Sequence, residues 1–295
     1  MSKIPFSRRK FFKVAGAGSL ALAGSKMAIA SDSFQEKPQK PATNIADAAK
    51  VARTKASMPG LFPGRVIKIE SEKAIVDNSI VEEQAYEMLK KGMLELTGEK
   101  KLAKAWLRFV KPGEKIGLKV NPVAGVQLTT SHAVTRSVIR QLEESGIKRS
   151  DLVIWDRQEF QLHETGYTEE NYPGIRVVGT EQKDKDGSYY GPDGLLYGEH
   201  MIDKEWYYWA DVNGEYDEYT IPFMVNGGEY SYFSKIVTQE VDKIINLPIL
   251  KNAGATVTNA MRTLLSGRCQ IPQGCTRNCV VRNLCPGMCI CSPKG

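Results

Sequence analysis

The stretch from Glu114 to Arg157 constrains the fold more than any other part of the chain. Glu114-Lys-Ile-Gly-Leu-Lys-Val-Asn-Pro122 is a short apolar run closed by a proline, which has no N–H to give to a sheet ladder and so marks a strand's end. A hydroxyl-rich loop follows. Thr129-Thr130-Ser131 supplies candidate N-caps, and Val134, Val138, Ile139 and Leu142 then recur at helical spacing until Ser145-Gly146 stops the pattern. Asp151-Leu-Val-Ile-Trp-Asp-Arg157 reads as a second buried strand. Two apolar strands joined by one helix predict a parallel crossover, which sets the first strand's carboxyl end, the helix N-terminus and Asp156 on one edge. Ligands of open α/β sheets bind at that edge.

Around this unit the chain reads as further α/β elements. Val66-Ile-Lys-Ile-Glu70 is the expected first strand. Ser79-Ile-Val-Glu82 has the form of a capping box, and Val81, Ala85, Met88, Leu89, Met93 and Leu96 line one face of a helix ending near Gly98. Leu102, Ala105, Trp106, Phe109 and Val110 mark a second, shorter helix stopped before Pro112, and Ile175-Arg-Val-Val-Gly179 is another short strand. Between about residues 186 and 233 the character changes. Tyr and Trp crowd in, from Tyr189 and Tyr190 through Trp206 and Trp209 to Tyr230 and Tyr232, punctuated by Asp186-Gly187, Asp193-Gly194, Asn213-Gly214 and Gly227-Gly228. Aromatic runs with such turn pairs predict an antiparallel insert. Asp211, Asn213, Glu215 and Asp217 alternate like a calcium loop, but the glycine stands at the wrong step and no closing Glu follows, so a hairpin is the better reading. Lys243-Ile-Ile-Asn-Leu-Pro-Ile-Leu-Lys251 returns to the buried-strand style. Asn252, Thr256, Thr258 and a helical 259–265 then repeat the order of strand, hydroxyls and helix start. The expected fold is a mixed, mostly parallel sheet flanked by helices, with an antiparallel aromatic-rich β insert. A chain of 295 residues, 42% hydrophobic, suffices for one core with such an insert.

The first thirty residues stand apart from that core. Ser7-Arg-Arg-Lys-Phe-Phe-Lys13 is a basic n-region, Val14 to Gly24 a weakly apolar h-region, and Ala28-Ile-Ala30 a small-residue cleavage site. Arg8 and Arg9 followed by two Phe predict export of the folded protein by the twin-arginine translocase to a periplasmic or other extracytoplasmic space. Residues 1–30 hold six Lys or Arg and no acid, so the formal charge of +6 belongs to this segment and the remainder is neutral. The basic balance therefore gives no support for a nucleic-acid partner. Beyond the signal no run of eighteen apolar residues would span a membrane. Residues 31–64, rich in Pro, Lys, Gln and Ala, read as a linker or extended arm.

All six cysteines lie between Cys269 and Cys291. An even count in an exported chain suggests disulfides. The spacings of 6, 4, 6, 4 and 2 match neither the usual ferredoxin run nor paired zinc half-sites. Residues 266–295 also contain no acid and no aromatic, unlike everything before them, and shifted reading of their degenerate codons permits ordinary protein sequence. The composition favours an out-of-frame tail, and no metal ligand is assigned to it.

Lys119-Val-Asn121, the Thr129-Thr130 helix start, Trp155-Asp156-Arg157 and Asn246-Leu-Pro-Ile-Leu-Lys251 with Thr256 and Thr258 together resemble the domain of unknown function 362 family, in its twin-arginine-exported branch. The likeness covers about Val66 to Leu265, the aromatic insert contributing little. Some relatives join such a domain to ferredoxin-type iron-sulfur modules, so the resemblance implies a redox neighbourhood; it names no cofactor. This chain departs from the family pattern at Lys251-Asn252-Ala253, where Lys-x-His is expected, and at Arg262-Thr263, where a Lys often precedes Asn.

The candidate site gathers Lys119, Asn121, Thr129, Thr130, Asp156, Lys251, Asn252, Thr256 and Thr258. Two helix N-termini, each preceded by hydroxyls and faced by a lysine, would hold a phosphate or carboxylate, because first-turn N–H groups lack intrahelical partners. Lys119 and Lys251 would bind the anion, and Asp156 would orient a lysine or carry a proton. Against this stands the plain reading that the threonines are caps and the lysines solvated strand ends. His132 opens the central helix and lies near enough in sequence to meet the site, while His163 and His200 fall in polar loops. Three functions follow: an exported enzyme acting on a small anionic substrate, with Asp156 and Lys251 catalytic; a non-catalytic ligand-binding or maturation protein gripping its ligand with the aromatic insert; and, more weakly, an iron-sulfur protein using the cysteine tail.

Overall fold

The computed structural model describes Lys50, Ala52 and residues 60–123, 125–181, 199–209, 230–253, 256–258 and 290–291. The signal segment with Arg8, Arg9, Ala28 and Ala30, nearly all of the linker, much of the aromatic insert, the expected helix at 259–265 and most of the cysteine tail lie outside them.

A short hairpin comes first, β1 (Ile75–Val76) against β2 (Ser79–Ile80). Asp77 and Asn78 form its two-residue turn with φ of 48° and 60°, the left-handed pair a tight hairpin requires. This turn corrects the expected capping box. Ser79 is committed to β2, and helix α1 (Glu82–Thr97) starts from Val81 with no side-chain cap. Its other end is as expected, with Gly98 left-handed and its N–H returned to the Leu94 carbonyl at 2.8 Å. The expected strand at Val66–Glu70 does not form; this segment is irregular, with Val66, Lys68 and Glu70 exposed and Ile67 and Ile69 half-buried.

Helix α2 (Leu102–Trp106) is followed by β3 (Ile116–Lys119), helix α3 (His132–Glu144), β4 (Leu152–Gln158), the short helix α4 (Glu159–Glu164) and β5 (Arg176–Glu181). After β6 (Ile202–Trp209), β7 (Tyr230–Ser234) and a π-helical turn at Ile236–Glu240 come β8 (Lys243–Asn246), β9 (Lys251–Ala253), β10 (Thr256–Thr258) and β11 (Ile290–Cys291). Strands β8, β3, β4 and β5 lie side by side in that order, all parallel, and β11 adds an antiparallel edge to β8. The protein is an α/β fold with a mostly parallel sheet and flanking helices. Within the expected insert, β6 and β7 pair antiparallel with a register shift between Asp203 and Tyr207.

Alternation along β4 assigns its residues to two cores, as a pleated strand buried on both faces must. Leu152 and Ile154 join Val138, Ile139 and Leu142 of α3, Trp106 of α2 and Met93 of α1. Val153 and Trp155 join Met201, Ile236, Val237, Val241 and Ile244. Buried Gln141 ties the helical layer together: its amide donates to the Tyr86 carbonyl at 2.9 Å and its oxygen accepts from the Trp106 indole at 3.0 Å. Those bonds replace the water that a buried amide would otherwise need.

Candidate functional site

The parallel register puts Lys119, at the carboxyl end of β3, opposite Asn246 at the carboxyl end of β8 and Trp155 in the middle of β4. Asp156 is one step further along β4. The Lys119 side chain, with no exposed surface, turns its ammonium to Asp156 Oδ1, donates to the Val120 carbonyl at 2.9 Å and lies 5.4 Å from the centre of the Trp155 ring. Burial pushes the lysine below its ordinary pKa, and the Asp156 charge and hydrogen bond pull it back up. The second carboxylate oxygen of Asp156 is buried and accepts no hydrogen bond among the described residues; the Thr129 hydroxyl and the Trp155 indole N–H are in the same condition. A shielded ion pair and unsatisfied polar atoms therefore occupy the edge where α/β sheets take ligands.

The loop after β3 is closed on itself. Thr130 donates its N–H to the Asn121 carbonyl at 3.0 Å, and its hydroxyl accepts the Asn121 N–H at 2.9 Å. That hydroxyl also donates to the Leu247 carbonyl at 2.6 Å, across the end of β8. Thr130 is thus spent as a brace between strand ends. The N-cap of α3 is Ser131, whose side chain makes no capping bond.

Lys251 departs from the anion-binding role expected of it. Its ammonium donates to Asn121 Oδ1 at 3.0 Å, to the Leu128 carbonyl at 2.7 Å and to the Val123 carbonyl. Three N–H donors meet three oxygens, so the charge is directed into the loop. Asn252 is exposed. Thr256 and Thr258 lie on β10, paired antiparallel to Ala253 and Lys251 of β9, where the expected repeat had a loop before a helix start; the expected helix itself lies outside the described residues.

His132 also goes elsewhere. Its Nε2 lies 2.8 Å from the Thr165 carbonyl and so carries the proton, leaving Nδ1 to accept from the Tyr172 hydroxyl at 2.6 Å. The ring packs on Tyr167 at 4.4 Å between centroids, and Tyr167 in turn donates to the Thr130 carbonyl at 2.8 Å. Sequence reasoning missed this aromatic buttress behind the loop. It also missed Trp155 as the surface under the Lys119 cation; a tryptophan inside a fully buried run was the available signal.

A surface cavity of about 440 Å³ runs along α1, lined by Glu87, Lys90, Lys91, Leu94, Glu95, Gly98 and Glu99, away from the strand ends. Among the described residues no group of three or more His, Cys, Asp or Glu is arranged to hold a metal ion, and no helix is long and apolar enough to cross a membrane.

Comparison with known proteins adds little to this geometry. No family model and no curated protein matches the chain. Among solved structures, the crystal structure of a Thermotoga maritima protein, a structural-genomics target, is similar at 12% identity and a TM-score of 0.35. The alignment covers 64% of this chain and 39% of that one, so the chain spans well under half of that protein's length.

Proposed function

We propose that this chain is an exported protein of the domain of unknown function 362 type that binds a small anionic ligand at the carboxyl edge of its parallel sheet, with Lys119 and Asp156 as the charged centre. The observation that carries the reading is the buried pair itself, with one Asp156 carboxylate oxygen buried and unsatisfied among the described residues, as is the Thr129 hydroxyl of the loop after β3. A buried ion pair stabilises a core no better than well-packed apolar residues of the same size, whereas a site that binds or moves charge needs desolvated, perturbed groups. In this reading Lys119 supplies positive charge, Thr129 a hydroxyl, and Asp156 orients the lysine and exchanges its proton. Asn121 and Thr130 frame the site through the loop they close. The paired Arg8 and Arg9 and the Ala28 and Ala30 cleavage motif support passage through the twin-arginine translocase.

The test is a melting series of the mature chain with phosphate, acetate, succinate and citrate. A ligand that binds only the folded state stabilises it by mass action, by about 2.7 kcal/mol at a hundredfold excess over Kd. At least one anion should raise the melting temperature, and Thr129→Val and Lys119→Met should each reduce the rise. No rise with any anion, or an equal rise in both variants, would sink the reading. A ligand that stabilises without being consumed identifies a binding or maturation protein; one that is consumed identifies an enzyme.

A further inference from the structure

We propose that the Lys251 ammonium is an internal cation that templates the loop between Asn121 and Thr130. The loop carries Val123, Val126 and Leu128 outward, at 41%, 68% and 43% exposure, so apolar burial does little to order it. Its polar atoms turn the other way: Asn121 Oδ1 and the Val123 and Leu128 carbonyls converge on one point, which Lys251 fills. Converging oxygen dipoles repel one another unless a positive charge stands between them, as in sites that bind free cations. Here the chain supplies its own, from a residue 130 positions away at the start of β9. Lys251 is accordingly a positioning residue. It ties the β9–β10 hairpin to the loop that ends β3, and through Asn121 and Thr130 it sets the entry to α3.

Chemical rescue separates a templating cation from simple packing. In Lys251→Ala the amides of Asn121, Val123 and residues 125–130 should exchange at least about tenfold faster with deuterium, while those in the middle of α3 stay protected. Ammonium or methylammonium chloride should restore the loop's protection, whereas tetramethylammonium chloride, with the same charge and no N–H, should not. Unchanged loop protection in the variant, equal loosening of α3, or restoration by tetramethylammonium would each overturn the proposal. If Lys251→Ala does not fold, Lys251→Gln keeps two donors without the charge. It should show intermediate exchange, and wild-type exchange there would equally overturn the idea. Chloride is common to all three salts and none of the candidate anionic ligands is added, so a difference between the salts is independent of the ligand reading above.

Discussion

Lys119 on β3 and Asp156 on β4 form an ion pair sealed inside the protein, with side-chain exposures of 0% and 2%. The parallel register sets Lys119 opposite Trp155, one residue short of Asp156, so the lysine reaches diagonally over the indole to its partner. Removing either charge strands the other away from water. Lys119→Met or Asp156→Leu alone should therefore cost about 3–5 kcal/mol in urea unfolding, and the two combined should regain much of that loss. The double variant should still fail to respond to any anion that stabilises the wild type. Additive losses in the double variant would show that the two side chains do not act as a pair.

A carboxylate outside the pair, Asp203, contributes to stability in acid. Burial works to raise the pKa of Asp203, but donors outweigh it: the Thr238 hydroxyl at 2.7 Å, the Gln239 amide at 3.1 Å and the Glu205 N–H at 3.1 Å hold it below its ordinary 3.8. Because the unfolded chain takes up the proton first, this contribution is complete above the ordinary value and is lost as pH falls through the lowered folded value. The melting temperature of the wild type should thus drop more steeply below pH 3.8 than that of Asp203→Asn. Parallel acid limbs for the two proteins would remove Asp203 from the account.

The buttress behind the loop fixes a tautomer. With Nε2 facing the Thr165 carbonyl, His132 should show the Nε2-protonated pattern in its ¹⁵N ring shifts. Tyr172→Phe removes the donor to Nδ1 and should cost about 1 kcal/mol without changing that tautomer. An Nδ1-protonated ring would contradict the hydrogen-bond network.

What could be read from the sequence divides along physical lines. Strands β3, β4 and β8 are buried on both faces, so they must be written as apolar runs, and their places were legible from those runs, whereas the end of the third, expected near Lys251, falls at Asn246. Val66–Glu70 has the right alternation, but a strand also needs a neighbour, and neighbours have no local signature. The capping box at Ser79 lost to a tight turn at Asp77-Asn78, two signals that overlap by a few residues and compete for the same backbone. Lys119 and Asp156 were legible as candidates, their pairing only from the register. The use of Lys251 was invisible, because its partners are mainly backbone carbonyls and every residue has one.

The last prediction concerns Gly117, at the centre of β3 and two residues before Lys119. A Cβ placed there would stand 2.8 Å from Trp155 Nε1 and 3.3 Å from Val241 Cγ1, both in the packed core on that face of the sheet. The indole cannot retreat without moving the surface over which the Lys119 ammonium lies. Gly117→Ala should consequently destabilise the protein by about 1–3 kcal/mol, as overpacking does, despite removing a flexible residue from a strand. It should also shift the Trp155 fluorescence in the folded state and weaken the coupling between Lys119 and Asp156 in the double-variant cycle. A stabilised Gly117→Ala protein with unchanged coupling would mean that the indole has room to move and that the pair does not depend on its position.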